Sequence, residues 1–480
     1  MKNISKTVFV KSVLAVAIAT SMGLAAQSAE AANWLQLYNT SPPGVSTPAK
    51  VWGFVQPDYA TTTGNTVSGL QGPASVRAFN GVAPNFNLIG PNLSSTNSFN
   101  LLRGRIGVRG SLSPLDNKVD YFVLTEFGNN GMTYFAGQHP VISDAFVTWN
   151  TDPKLVRFSL GLQKVPGSWE SRVGINTLPF VNYSTASLQN TLERFINPNV
   201  SVSSAGNGGY QFIPSSSNVT GYGSYRDIGL KVFNWFDRGP WEYAYAFMVG
   251  NGGPITATNN NNGMDTYGML RASYIFSGKG PYRNDAGVWV WFHNGQRKIQ
   301  QIGTYKLNRW GVGGEYGRHQ RQAGGYIMHA GYMQASGWIL APAPFQYDAN
   351  TAAGYTGQPQ ALGGYNNLTQ WTIYPGSNNK AWGAYVQGGY YVTHNVQLEL
   401  RYDQYNRLTN NAALQRDFKT WTVGAQYFLT KNTRLTLNYA IQKLDVPHAS
   451  AITNAVQRNN AQAIANSMGN RIDLELTAVF

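Results

Sequence analysis

No cysteine occurs anywhere in the chain. That absence excludes disulfide frameworks, thiolate metal sites and covalent haem attachment. Charge is scarce as well, since Asp, Glu, Lys and Arg make up 12% of the residues. After the first thirty residues, no run approaches the roughly 18 consecutive apolar residues that a membrane-spanning helix requires. The six histidines, His139, His293, His319, His329, His394 and His448, are scattered without metal-ligand spacing. No serine stands in a G-x-S-x-G elbow. The stretch "GVGGEYG" near 311 lacks the spacing and the strand-helix setting of a nucleotide loop. There is no Lys/Arg-rich run of the kind that binds nucleic acid. Neither catalytic residues, nor a metal, nor a cofactor, nor a nucleic-acid partner is expected.

What is present begins with a leader. Lys2, Lys6 and Lys11 precede an apolar run at 13–19, and Ala29-Glu30-Ala31 is a small-x-small cleavage site. This pattern predicts a secretory signal over residues 1–31 and a mature chain of 32–480. No linker divides the mature part, which reads as one domain. It is rich in Gly, with 52, and in aromatic residues, at 13%. Its mean hydropathy of -0.28 is what results when lipid-facing and lumen-facing residues cancel along each strand. Basic residues outnumber acidic ones, 36 against 22. A lumen that attracts anions accounts for this; so does a surface suited to anionic lipid or to an unusual habitat.

Period-two alternation recurs throughout. The last ten residues, "RIDLELTAVF", place Ile472, Leu474, Leu476, Ala478 and Phe480 on one side of a strand, with Arg471, Asp473, Glu475 and Thr477 on the other. Similar segments predict strands at 50–60, 99–112, 118–128, 141–150, 155–164, 224–236, 240–250 and 265–277. Eight more are expected at 285–294, 307–318, 325–337, 380–392, 395–406, 418–429, 433–444 and 471–480. An even number near sixteen, of this length, predicts an all-β transmembrane antiparallel barrel. Every second connection is short and built of turn residues, such as "SPLDNK", "NTDPK", "FDRGP", "VTHN" and "LTKN". The others are mostly longer, notably 61–98, 165–223, 338–379 and 445–470. Short turns on one side and long loops on the other predict an outer-membrane barrel with both termini in the periplasm. The terminal Phe480 then resembles the signal by which such barrels are recognised for insertion.

The second strand, "LLRGRIGVRGSL", sets Arg103, Arg105 and Arg109 on one face and Leu102, Ile106, Val108 and Leu112 on the other. A lipid-facing Arg at mid-bilayer costs roughly 2–4 kcal/mol, so the Arg face is expected to line the lumen. Guanidinium stays protonated and holds oxyanions in two-pronged hydrogen bonds. The competing reading pairs these arginines with Asp120, Asp144 or Glu126 on neighbouring strands. The long loop after the fifth strand is expected to fold into the lumen, bringing Lys164, Arg172 and Arg194 to a constriction. Glu170 and Glu193 are candidates to tie that loop to the wall.

The blocks "RGRIGVRG", "DYFVLTEFG", "ISDAFVTW", "LGLQKVPGSWE" and "LERF", in this order over residues 99–195, resemble the phosphate-selective porin O/P family. The resemblance implies a homotrimer of 16-stranded barrels in the outer membrane, in contact with lipid and lipopolysaccharide. Basic residues would guide small anions such as phosphate past an in-folded third loop. Arg103 and Arg105 match the family's basic pair on the second strand, and Asp144 matches its acidic wall residue. Lys164 begins the block that enters the loop, and Glu193-Arg194 match its far end. The chain departs from the family in a Ser/Asn-rich extension at 176–190 and in Ser171, where some members carry Lys. The expected function is a water-filled, anion-preferring porin working by passive diffusion. A general diffusion porin and a structural or electron-conduit barrel are the alternatives.

Overall fold

The structure, a computed structural model, describes residues 49–480 except 73–76, 78–79, 82, 86–96, 113–114, 116–117, 135–139, 153–155, 192–193, 197–201, 207–208, 213–218, 223–224, 254–262, 279–281, 300–301 and 342–370. The expected leader at 1–31 and residue Glu193 lie outside the described residues.

Sixteen strands close on themselves in an antiparallel barrel. They are β1 (Lys50–Thr63), β2 (Ser98–Ser111), β3 (Val119–Glu126), β4 (Val141–Asp152), β5 (Val156–Lys164) and β6 (Arg226–Arg238). Next come β7 (Trp241–Gly250), β8 (Asp265–Ser277), β9 (Asn284–Ile299), β10 (Gly303–Arg318) and β11 (Tyr326–Gly337). The last five are β12 (Lys380–Tyr391), β13 (Val396–Arg407), β14 (Arg416–Phe428), β15 (Thr433–Asp445) and β16 (Asn470–Val479). Chain neighbours pair throughout, and β1 pairs with β16 to close the ring. Closure leaves no open edge, the condition for carrying a sheet through hydrocarbon.

The side-chain rows invert the order of a water-soluble sheet. On β15, Leu437 is 49% exposed while its neighbour Asn438 is 2% exposed. Leu398 and Leu400 on β13 point outward, and Gln397, Glu399 and Arg401 are buried. The same holds at the end of the chain, where Leu474 is exposed and Asp473 and Glu475 are buried. Pleating sends alternate residues to opposite faces, so each strand contributes to both an oily exterior and a polar interior. An exterior this apolar over its whole circumference marks contact with lipid.

Two local expectations are corrected. Leu102 does not join the outward row but is 1% exposed. Gln56 faces Arg103 and Pro57 faces Leu101, so Leu102 is the extra residue of a bulge and the alternation slips there. Phe99 and Leu101 take the outward places instead. The hairpin of β9 and β10 extends further than its apolar pattern suggested, so the connection at 300–302 is short although it falls in the long series. Among the long connections, 64–97 and 446–469 are tied together. In the helix Ala455–Asn466, Asn460 accepts from the Gln71 backbone N–H at 2.8 Å and donates to the Gln71 carbonyl at 3.0 Å.

Candidate permeation site inside the barrel

The segment after β5 packs against inward-facing residues of the wall. It carries two short helices, α1 (Trp169–Arg172) and α2 (Thr185–Asn190), each begun by a serine cap. Ser168 accepts from the Ser171 N–H, and Ser184 accepts from the Ser187 N–H. Glu170 of α1 binds the cap of α2 twice, accepting from the Ser184 N–H at 2.9 Å and the Ser184 hydroxyl at 2.5 Å. The two helices are therefore joined before either meets the wall. Trp169, Val173, Ile175, Leu178 and Ala186 are buried and belong to one apolar cluster with the inward-facing Trp289, Trp291, Tyr385 and Tyr405.

Wall arginines fasten this segment by its backbone carbonyls. Arg103 on β2 donates to the Val181 carbonyl at 2.9 Å. Arg401 on β13 donates to that of Asn182 at 2.9 Å, and Arg309 on β10 to that of Asn190 at 2.9 Å. Arg434 on β15 donates to the Leu178 carbonyl at 2.6 Å. Asp403 accepts from the first helical N–H of α2, Thr185, at 2.7 Å, where a carboxylate complements the helix dipole. Residues 178–190 are thus contacted by inward-facing side chains of β2, β10, β13 and β15. Glu170 also lies 3.8 Å from Arg401.

The anticipated basic residues are present inside, in more occupied company than a free ladder. Arg103 is 3.1 Å from Glu475 on β16. Arg105 donates to Glu126 at 2.7 Å, the neighbouring-strand pairing weighed as the competing reading. Arg109 is partly exposed near the end of β2, its guanidinium 6.0 Å from the Trp52 ring. Lys164 donates to the Val173 carbonyl at 2.7 Å and the Arg172 carbonyl at 3.3 Å, so it closes the base of the segment. Arg172 is buried, donates to the Gly167 carbonyl at 3.1 Å and lies 5.4 Å from the Trp289 ring. Arg194 falls in a short strand, Arg194–Ile196, that pairs with Val219–Tyr222; its side chain is outside the described residues. Asp144 is buried and receives a two-pronged bond from Arg226, at 3.0 and 2.9 Å.

Sequence reading missed Arg226, Arg309, Arg401 and Arg434. Each sits at an inward position of its strand, and alternation alone could have flagged it. Their partners lie 82, 119, 219 and 256 residues away in sequence, which no local pattern reports. Among the described residues, no group of three or more His, Cys, Asp and Glu is placed to hold a metal ion.

Residues 83–220 match the family model for phosphate-selective porins O and P. That stretch runs through β2 to β5 and the segment after them, within the closed sixteen-stranded barrel. No curated protein matches it. Solved structures with a similar trace include an anion-selective porin from Comamonas acidovorans, at 11% identity and a TM-score of 0.48, covering 90% of this chain and 100% of that one. The outer-membrane channel DcaP of Acinetobacter baumannii is similar at 12% identity and a TM-score of 0.46, with 91% and 98% covered. Salmonella typhi OmpF in complex with daunomycin gives 12% identity and a TM-score of 0.48, again with 91% and 98% covered.

Proposed function

We propose that this chain is an outer-membrane porin that passes small anions, phosphate among them, by passive diffusion through the barrel. The observation that supports the reading is where its surplus charge must sit. Basic residues outnumber acidic ones by 36 to 22, and the outward rows are apolar. The excess is therefore confined to the lumen, the loops and the turns, along the route an ion takes. Arg157 and Lys164 on β5 have no carboxylate within ion-pair distance among the described residues. A lumen walled by low-dielectric material focuses such a field and raises the local anion concentration. Arg103, Arg105, Lys164, Arg172 and Arg194 then act on anions chiefly by shaping and holding the in-folded segment. Arg109 contributes directly at the short-turn end, and Asp144 anchors Arg226.

A second reading, a general diffusion pore, is favoured by the pairing of Arg103, Arg105 and Arg226 with Glu475, Glu126 and Asp144. These pairs make long stretches of wall electrically neutral. Reversal potentials across a planar bilayer under a salt gradient separate the two readings, and replacement of chloride by phosphate tests the solute. A potential of the sign for anion flow supports the first; a potential near zero supports the second. On this reading both termini face the periplasm, and the assembly is a homotrimer in lipopolysaccharide-containing membrane. Crosslinking in intact membranes, read as a ladder ending at three chains, tests the assembly.

A further inference from the structure

We infer that solutes cross the barrel between the in-folded segment and the arc from β9 to β15, past Arg434, and not along Arg103 and Arg105 of β2. The inference rests on the porin reading.

The interior is unevenly filled. Along the β1–β6 arc, inward aromatic rings pack on one another: Trp52 lies 5.9 Å from Phe122, and Phe122 lies 5.4 Å from Phe146. Phe122 and Phe233 are 0% exposed, so these rings fill that part of the interior. Across the interior, a cavity of about 80 Å³ separates Trp169 and Thr177 from wall residues Asp285, Glu315 and Arg434. Tyr391 and Phe428 also line it, each beside a short turn, which sets the cavity in the short-turn half.

The charges around this cavity do not cancel symmetrically. Asp285 is 2.8 Å from Arg283 and 3.2 Å from Arg271. Glu315 is bonded to Arg271 as well. Arg283 also holds Glu242 at 2.9 Å, so two arginines meet three carboxylates on that wall. Arg434 has no carboxylate within ion-pair distance among the described residues. Its Nη2 is engaged by the Leu178 carbonyl, and its Nε has no hydrogen-bond partner. Arg434 therefore brings an unshared positive charge to the other side of the cavity. A guanidinium with no carboxylate beside it suits a small oxyanion, which can leave again because only one cation holds it.

Because the chain has no cysteine, an introduced thiol is unique. Thr177→Cys and Gln397→Cys place thiols on the two sides of the cavity, and Thr148→Cys places one on the packed β4 wall. Each full-length variant is reconstituted in a planar bilayer and treated with an anionic methanethiosulfonate. Conductance should fall about twofold or more at positions 177 and 397, where the reagent narrows the path, and stay unchanged at 148. Arg434→Gln in the Gln397→Cys background should slow the anionic reagent relative to a cationic one, with Arg434→Lys restoring the ratio. Insensitivity at both 177 and 397, or loss of current at 148, overturns the route. An unsubstituted chain that conducts nothing overturns the porin reading together with it, whereas one that conducts while 177 and 397 stay insensitive overturns the route alone.

Discussion

Arg103 on β2 and Glu475 on β16 meet at 3.1 Å across the intervening strand β1. Gln56 of β1 lies between them, accepting from Arg103 at 3.2 Å and donating to Glu475 at 2.8 Å. The three side chains brace the seam where the first and last strands close the barrel. The same guanidinium reaches the Val181 carbonyl at 2.9 Å, so one arginine serves both closure and loop placement.

Removing one partner of this pair should cost stability more than selectivity. Arg103→Gln leaves Glu475 buried and uncompensated, a loss of about 3–5 kcal/mol by comparison with other buried pairs. Arg103→Gln with Glu475→Gln removes both charges and should recover much of that loss. The midpoint of urea unfolding, followed by the heat-dependent shift on gels, measures it. A double variant no more stable than the single one would show that the guanidinium matters through Val181 alone.

The terminal residue closes the seam by backbone and by ring. Phe480 and Gly53 exchange two hydrogen bonds of 2.9 Å. A Cβ on Gly53 would stand 2.7 Å from the Phe480 ring and 2.4 Å from the Arg105 carbonyl oxygen. Gly53→Val should therefore lower the yield of folded barrel sharply, and deletion of Phe480 should lower outer-membrane assembly. Normal amounts of heat-modifiable protein from either gene would contradict this.

The carbonyl grips on the in-folded segment predict a leakier pore when they are loosened. Arg401→Gln removes donors to the Asn182 and Tyr183 carbonyls. Hydrogen bonds from a charged donor contribute about 1.5–3 kcal/mol each. Single-channel records of the variant should show larger and noisier conductance than the parent. A trace indistinguishable from the parent would mean that Asp403, Arg309 and Arg434 suffice to hold the segment.

Orientation is tested by labelling. The long connections and the short turns lie at opposite ends of the barrel, and the outer ones are taken as extracellular. An epitope inserted between 342 and 370 should be reached by antibody on intact cells. One inserted at 392–395 should be reached only after the outer membrane is opened. The reverse pattern would turn the barrel over.

The strands and their two faces were legible in the sequence because their cause is local. Side chains alternate every residue, so "RIDLELTAVF" or the segment from Val396 to Tyr402 declares an oily row and a polar row by itself. Lipid then requires the oily row outside. The slip at Leu102 was not legible, because a bulge depends on the register of β1 against β2. Nor was the fate of the inward arginines. Whether Arg103 guides an ion or braces a seam depends on Glu475, which is 372 residues away and arrives only when the ring closes. Charge is a property of the residue. Compensation is a property of what folding places within a few ångströms of it, and the tertiary structure alone decided that for Arg103, Arg105 and Arg434.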